Sequence, residues 1–406
     1  MFYNYMKQLS ACLIVKNEAL LLPYCLESIT PVVDEIIVVD TGSTDETIKI
    51  AKKYCAQVYQ FSWTEDFSAA RNISLMHASG EWILYIDADE AIDSVNALKI
   101  REAIKRKDIM GITVRQCIPQ QTNNIATAYY IEYCRIFRRH KDIRFVGKVH
   151  EQILPSIERL EGKVLRTDIV FNHWAYAITN EKKKARAERN LRYLLDELKN
   201  VQNDPFLYFN LGTTYCELGK KDAAILSLQQ SLVLDNGNIK RELIGHVHLS
   251  LAKLYLELDN FVKAEYHARM VSSYDPVNPL SAYVLATVAV LNKQYKTAIF
   301  HLEKAIQITR GESGSCPSIE LNLAQLYLEL GSCRSASGDL LDAEKDLVRS
   351  LEYDSSRALP YVLLGNCRFL HGDINQAQKL YEHALAINPS LESASNGLAL
   401  CRTHNK

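Results

Sequence analysis

The sequence predicts two kinds of fold in one chain: a mostly parallel α/β domain, followed by an all-α array of helical repeats. Over the first 180 residues, short runs rich in β-branched residues alternate with amphipathic stretches, a pattern typical of a parallel sheet covered by helices on both faces. Beyond about residue 204 these runs disappear, and small residues recur at the spacing of paired helices. A chain of 406 residues is long enough for both folds.

Composition argues against several classes of protein. Hydrophobic residues at 48% and charged residues at 23% are ordinary globular values, and a net charge of -1 gives no reason to expect a nucleic-acid partner. The ten cysteines include no Cys-x-x-Cys pair, which favours reduced thiols. With no secretory signal and no apolar run near the ~20 residues of a membrane span, we expect a cytoplasmic protein without a transmembrane segment.

Acidic residues follow two of the predicted strands. The run 35–39 ends in Asp40, and the run 82–86 ends in Asp87-Ala88-Asp89-Glu90. Ligands of open parallel sheets bind beyond the carboxyl ends of the strands, so Asp40, Asp87 and Asp89 are predicted to share one edge. Glu90 is expected to cap the helix that follows.

The phosphate-binding loops of common nucleotide sites are missing. No Gly-x-Gly-x-x-Gly follows the first strand, 9–15, and no Walker loop is present. The phosphate charge of a bound nucleotide must then be neutralised in another way, and a divalent cation held by Asp89 would do so. We therefore predict a site for Mg²⁺ or Mn²⁺.

Four blocks of sequence resemble the family-two glycosyltransferases of GT-A fold, which have a Rossmann-like, mostly parallel sheet. They are, in order, 13–18 (LIVKNE), 38–45 (VVDTGSTD), 66–72 (DFSAARN) and 85–90 (YIDADE). The resemblance implies a nucleotide-sugar donor, expected to be a UDP-sugar. It places the site residues as follows: Asp40 at the nucleobase, Asp87 near the ribose and the metal, Asp89 on the metal, Arg71 at the diphosphate or in the wall of the nucleotide pocket, and Glu18 in the donor site. The alternatives are an N-cap role for Asp40, a surface ion pair for Arg71 and a helix-surface amide for Asn72.

A fifth block, 145–151 (FVGKVHE), resembles the segment that follows the nucleotide half in a subgroup of these enzymes. Transfer needs a base that removes the acceptor's proton, and Glu151 is our candidate. His150 is expected to bind the diphosphate or to orient this acid; alternatively, the two are a polar pair at a strand end. A nearby basic patch faces the diphosphate, the acceptor or solvent; it consists of Arg135, Arg138, Arg139 and Lys148.

A late histidine completes the candidate site. The strand-like run 169–176 contains His173 beside Trp174. Enzymes of GT-A fold often place a late histidine on the metal, and His173 matches by its order in the chain. Alternatively, the imidazole is only packed against Trp174.

The second half matches the spacing of tetratricopeptide repeats, with a period of ~34 residues. A basic amphipathic linking helix at 181–204 precedes five predicted repeats at 205–238, 245–278, 279–312, 317–357 and 358–391. In the fourth, the second helix is expected seven residues late, as if 332–338 were inserted, either as an extended first helix or as a loop. The predicted domains are therefore 1–180, 181–204 and 205–406.

A transferase domain followed by such repeats resembles the peptide S-glycosyltransferases of glycosylated bacteriocin biosynthesis. This resemblance implies an inverting, metal-dependent transferase, with a peptide or protein side chain as acceptor and repeats that present it or form a homodimer. Two alternatives are synthesis of a surface polysaccharide or lipid-linked glycan, and an inactive scaffold that binds proteins. The carboxylates at the strand ends argue against the scaffold.

Overall fold

The computed structural model describes residues 7–120, 125–174, 180–235, 241–312 and 318–404. The chain divides into two compact units. One consists of Met1–Gln120 with Tyr129–Leu234, and the other of Gln121–Ala128 with Asp235–Lys406. The predicted boundaries near residues 180 and 204 thus both fall inside the first unit, which contains the linking helix and the first helix pair.

The first four strands of the sheet in the first unit, in order along the chain, pair in parallel as predicted. The first nine strands along the chain are β1 (Leu9–Val15), β2 (Glu35–Asp40), β3 (Gln57–Gln60), β4 (Trp82–Tyr85), β5 (Glu90–Ala91), β6 (Gly111–Pro119), β7 (Ala126–Arg138), β8 (Val164–Leu165) and β9 (Val170–His173). The strand order begins β3-β2-β1-β4, and these ladders are parallel, whereas β4 pairs antiparallel with β7.

Helices cover this sheet because its central strands are apolar on both faces. Every residue of β2 is buried, and so are six of the seven residues of β1, as expected for strands packed on two sides. The helices of this part are α1 (Leu22–Ile29), α2 (Thr47–Lys53), α3 (Phe67–His77), α4 (Ser94–Ala103) and α5 (Leu154–Arg159).

Two ladders bring distant parts of the chain to the site. In the parallel pairing of β1 with β2, Val15 lies opposite Asp40. In the antiparallel pairing of β5 with β9, Glu90 lies opposite His173. The second ladder places the late histidine directly beside the acidic block, which local sequence patterns do not indicate.

The rest of the described chain is almost entirely helical. A long helix, α6 (Asn180–Leu198), leads into five helix pairs and a last helix, and no helix of the described residues is long and apolar enough to cross a membrane. The pairs are α7 (Pro205–Glu217) with α8 (Lys221–Val233), α9 (Arg241–Glu257) with α10 (Phe261–Tyr274), α11 (Pro279–Leu291) with α12 (Tyr295–Thr309), α13 (Leu323–Ala336) with α14 (Leu340–Tyr353), and α15 (Ala358–Leu370) with α16 (Ile374–Ile387); α17 is Glu392–His404.

The expected insertion at 332–338 is wrong. Helix α13 ends at Ala336 and α14 begins at Leu340, so this pair has neither an extended first helix nor a long loop. Gly331 packs against Leu347 and Ala343 at the crossing of the two helices, and these residues have the same spacing as the corresponding residues in the first pair. The extra residues precede α13 instead, where 319–321 form the short strand β10.

Two glycines of the helical array differ in the space around them, so replacing each by alanine is expected to change the stability in opposite directions. A Cβ on Gly331 would lie 2.8 Å from Leu347 Cγ and 3.1 Å from the backbone oxygen of Ala343, so Gly331→Ala is expected to destabilise the chain by about 1–3 kcal/mol. A Cβ on Gly245, within α9, would meet only Tyr274 at 3.6 Å, so Gly245→Ala should stabilise it by about 0.5–1 kcal/mol. Denaturant unfolding followed by circular dichroism measures both, and shifts of the same sign would contradict this account of the helix crossing.

Candidate active site

The turns after β1 and β2 are joined by hydrogen bonds. Asn17, at a φ of 56°, accepts a bond from the Thr44 backbone at 2.8 Å, and its own N–H donates to Ser43 Oγ at 3.0 Å. The Glu18 N–H donates to Thr47 Oγ1 at 2.8 Å. The first two sequence blocks therefore form one continuous surface at the carboxyl ends of their strands, and Glu18 is part of it.

Asp40 shapes the second of these turns. Asp40 is 2% exposed, and its carboxylate accepts hydrogen bonds from the N–H groups of Gly42 and Ser43 at 3.1 Å. The N-cap alternative is wrong, because α2 begins at Thr47 with Glu46 in the cap position. Gly42 has a φ of +104°, and a side chain there would meet nothing within 4 Å, so open space adjoins the backbone of this turn.

Arg71 joins two of the predicted acids. Its NH2 donates to Asp87 Oδ1 at 2.7 Å and its Nε donates to Glu151 Oε1 at 2.5 Å. The Arg71 side chain is only 8% exposed, so the interpretation as a surface ion pair is wrong. Burial opposes ionisation of Asp87, but Arg71 and Arg135 outweigh it and hold the pKa of Asp87 well below its usual range.

Arg135 lies in the site, buried and paired, not on a solvated basic face. Its NH1 donates to Asp87 Oδ2 at 3.2 Å and its NH2 to Glu90 Oε1 at 2.9 Å. The guanidinium also lies 4.3 Å from the centre of the Tyr85 ring, a distance at which cation–π attraction is significant. Each Asp87 oxygen therefore faces one arginine.

The expectation that Glu90 caps a helix is wrong. The N-cap of α4 is Asp93, and Glu90 is fully buried. Its carboxylate accepts bonds from Arg135, from Gln116 and from the backbone N–H of Asp87. Burial raises the pKa of Glu90 despite the nearby Arg135, so this acid depends on its arginine.

Removing that arginine is expected to be costly. Arg135→Met leaves Glu90 without its cation in the core, which should lower the free energy of unfolding by about 3–5 kcal/mol. The double variant Arg135→Met with Glu90→Met removes the stranded acid as well and should recover at least half of this loss. Denaturant titration of the parent chain and both variants measures the free energy of unfolding. Equal destabilisation of the two variants would show that the unpaired Glu90 is not the cause of the loss.

Asp89 and His173 are brought together as a pair of candidate metal ligands. His173 Nε2 lies 3.2 Å from Asp89 Oδ2, near the ~3 Å that separates neighbouring ligands bonded at about 2.1 Å to one cation. Burial disfavours the charged imidazole, but the bond to Asp89 and the charges of Glu90 and Asp87 outweigh it and raise the pKa of His173. Within the described ranges, no cluster of three or more His, Cys, Asp or Glu side chains suits a metal ion.

The block 66–72 holds the loop that carries Glu151. The Asn72 amide donates to the backbone oxygen of Phe145 at 3.1 Å and accepts from the N–H of Phe145 at 2.9 Å. Ser68 Oγ donates to the Gly147 oxygen at 2.6 Å. Asn72 is therefore not a free helix-surface amide, and one helix, α3, supplies both Arg71 and the supports of the loop.

His150 lies on the same loop with a φ of 56° and is exposed. Surrounding protein limits hydration of its imidazole and, with Arg186 nearby, lowers its pKa in spite of Glu151. No hydrogen bond joins the His150 ring to the Glu151 carboxylate, which is held by Arg71 instead. The partner that orients Glu151 is thus Arg71, and the sequence pattern does not identify it.

The other members of the basic patch point elsewhere. Arg138 pairs with Glu81 and packs on the Trp82 ring, and Arg139 donates to the backbone oxygen of Gly80. Lys148 pairs with Asp196 of α6 at 2.9 Å. Of the four, only Arg135 contacts the acids of the site.

Comparisons with known proteins identify the families of the two parts of the chain. Residues 10–183 match the model of glycosyl transferase family 2, and 207–238 and 359–391 match a tetratricopeptide repeat. A TPR repeat-containing protein of Synechococcus elongatus is 32% identical over 287 residues, which are 69% of this chain and 70% of that protein. Residues 10–183 belong to glycosyl transferase family 2.

Two further similarities cover parts of this transferase. The SPbeta prophage-derived glycosyltransferase SunS of Bacillus subtilis is 30% identical over 257 residues, which are 62% of this chain and 59% of SunS. Among solved structures, the TPR protein YrrB aligns with 50% of this chain and 96% of its own, at 17% identity and a TM-score of 0.43. The family models place the family 2 domain before the C-terminal repeats.

Proposed function

We propose that this transferase moves a sugar from a UDP-sugar to a peptide or protein side chain, with inversion at the anomeric carbon and with Mg²⁺ or Mn²⁺. One observation carries the proposal: Arg71 bridges Asp87 and Glu151. This bridge connects the acidic block at the donor side to a carboxylate on a separate loop. A donor site and a candidate base are thereby held in fixed relation by one buried side chain.

On the donor side, the interlocked turns with Asp40 and Glu18 are assigned to the nucleoside. Asp89 and His173 would hold the cation, which when bound neutralises charge on the diphosphate leaving group. Asp87 is held ionised by two arginines, so it keeps these guanidinium groups fixed at the edge of the sheet. Fixed charges of this kind stabilise developing charge without reorganisation during the reaction.

On the acceptor side, Glu151 is assigned the role of general base. Inversion requires the acceptor to attack from the side opposite the leaving group, and a base there takes its proton as the bond forms. Arg71 keeps the Glu151 carboxylate, 12% exposed, in one orientation. The exposed His150 lies on the loop that carries Glu151 and is assigned to the diphosphate or to the acceptor.

A peptide or protein acceptor is supported by the C-terminal repeats, since arrays of this kind form extended surfaces that bind peptides and helices. The test is intact-mass analysis of candidate peptides incubated with the full chain, Mn²⁺ and a panel of nucleotide-sugars. We expect a mass increase of one sugar with a UDP-sugar, lost when Mn²⁺ is chelated.

Peptides in which each Cys, Ser, Thr or Asn is replaced in turn then identify the acceptor atom. Sugar released only to water, or incorporated only into a lipid-linked glycan, would contradict the peptide acceptor. Transfer from a donor other than a UDP-sugar would contradict the nucleotide assignment alone.

A further inference from the structure

A groove lies between α6 and the end of α7 in the first unit. It encloses about 500 Å³, and three leucines line it: Leu191 and Leu195 of α6, and Leu218, which follows the last residue of α7. Leu195 is 41% exposed, so apolar surface is open to solvent there. An exposed apolar surface with polar edges is typical of a site for another molecule.

The charged residues that line this groove are mainly basic. Lys184, Arg192 and Lys220 line it, with Glu188 as the acidic lining residue. Arg192 also pairs with Glu65 at 2.6 Å, but both side chains are more than half exposed. Such a surface pair is weak and does not prevent Arg192 from meeting another carboxylate.

The lining residues of α6 share one face of the helix. Lys184, Glu188, Leu191 and Leu195 are three or four residues apart in turn, the spacing that places side chains in one row. The row thus begins with the basic Lys184, continues with the acidic Glu188 and is apolar farther along, while Arg192 and Lys220 add basic charge beside it. Its complement is a helix with a stripe of large apolar side chains bordered by Asp and Glu, docked as an amphipathic helix in a groove.

Other residues of α6 contact the part of the unit that carries Glu151. Asp196 pairs with Lys148 of the Glu151 loop, and Tyr193 OH accepts a bond from Trp63 Nε1 at 3.3 Å. A segment bound in the groove is therefore attached to the same helix that pairs with the loop carrying Glu151. Such attachment raises the effective concentration of the rest of the peptide.

We propose that this groove binds an acidic amphipathic helix within the peptide acceptor, at a distance in sequence from the residue that receives the sugar. The identification of the bound helix as part of the acceptor rests on the proposed function. The binding preference itself, for an acidic over a basic amphipathic helix, follows from the lining residues alone and is tested without any sugar transfer.

The probe is a fluorescein-labelled synthetic peptide of about 18 residues, with Leu on one helical stripe, Glu beside it and Ala elsewhere. A second peptide has Lys in place of Glu, and a third has Ser in place of Leu. Fluorescence anisotropy with the full chain measures each affinity. The test variant is Lys184→Glu with Lys220→Glu, and the control is Lys52→Glu with Lys53→Glu, an exposed pair on α2 that gives the same change of net charge.

We expect the Glu peptide to bind at least about tenfold more tightly than the Lys and Ser peptides, and more weakly as salt is raised. The test variant should lose about tenfold for the Glu peptide and the control should keep the parent affinity. Three outcomes would each overturn the proposal. They are equal binding of the Glu and Lys peptides, an unchanged affinity of the test variant for the Glu peptide, and a change in the oligomeric state of the test variant without peptide binding. Metal-dependent donor turnover of the parent chain is measured separately, so its absence contradicts the proposed function and not the groove.

Discussion

Replacing Asp89 by asparagine is expected to lower metal-dependent turnover of the nucleotide-sugar by a factor of about 10²–10³. Asparagine keeps the size of the side chain and an oxygen facing His173 Nε2, now 3.2 Å from Asp89, so the fold should persist. The negative charge that attracts a divalent cation is lost. Turnover measured against Mn²⁺ concentration should therefore show weaker metal activation as well as a lower maximum.

Asp93→Asn is the matched control for this change. Asp93 caps α4 by accepting bonds from the backbone N–H and the side-chain amide of Asn96, and asparagine can keep the bond from the backbone as an N-cap residue. The control should retain parental turnover and metal dependence. Turnover of the Asp89 variant within twofold of the parent, at limiting as well as saturating Mn²⁺, would remove Asp89 from the metal site.

Glu151→Gln is expected to lower sugar transfer by about 10²–10⁴-fold, the usual contribution of a general base, with donor affinity changed by no more than about twofold. Glutamine can still accept the bond from Arg71 Nε, which is 2.5 Å in the parent, so Arg71 and Asp87 should stay in place. Transfer by mass spectrometry and donor affinity by calorimetry are measured on the same preparation. Glu102→Gln, an exposed acid on α4 paired with Lys105, is the control.

The pH dependence of this variant reports on the acceptor atom. A free thiol has a pKa of ~8.5, so with a cysteine acceptor the deficit should shrink as the pH approaches 9, where the thiolate forms without a base. With a hydroxyl acceptor the deficit should remain. Weakened donor binding with transfer retained would instead place Glu151 in the donor site.

The buried network explains why the two variants should act on different steps. Arg71 and Arg135 are both less than a tenth exposed and share Asp87 between them. Glu151 contacts the network only through Arg71, whereas Asp89 is two residues from Asp87 and bonds to His173. The proposed donor and acceptor functions are thus connected through Arg71 and Asp87 but rest on separate carboxylates.

Several elements of the fold can be read from local sequence. The run 9–15 is a strand as predicted, and the helices at Phe67 and Pro205 begin where Asp66 and Asp204 provide caps. Strand and cap signals depend on neighbouring residues alone, so they are visible without the fold. The prediction for the fourth repeat is wrong because it places the surplus residues between the two helices, although the spacing of Gly331 and Ala343 equals that of Gly212 and Ala224 in the first pair.

The sequence by itself determined the order of the two folds, the family and the acidic block 87–90, because each is written in short, contiguous patterns. Only the tertiary structure decided the partners of those acids. Arg135 is 48 residues from Asp87, and Glu151 is 80 residues from Arg71, separations at which no local periodicity fixes a contact. Antiparallel pairing of β4 with β7 and of β5 with β9, together with the docking of the loop on α3, brings these charges into one buried network. Burial then makes each of them depend on its partner.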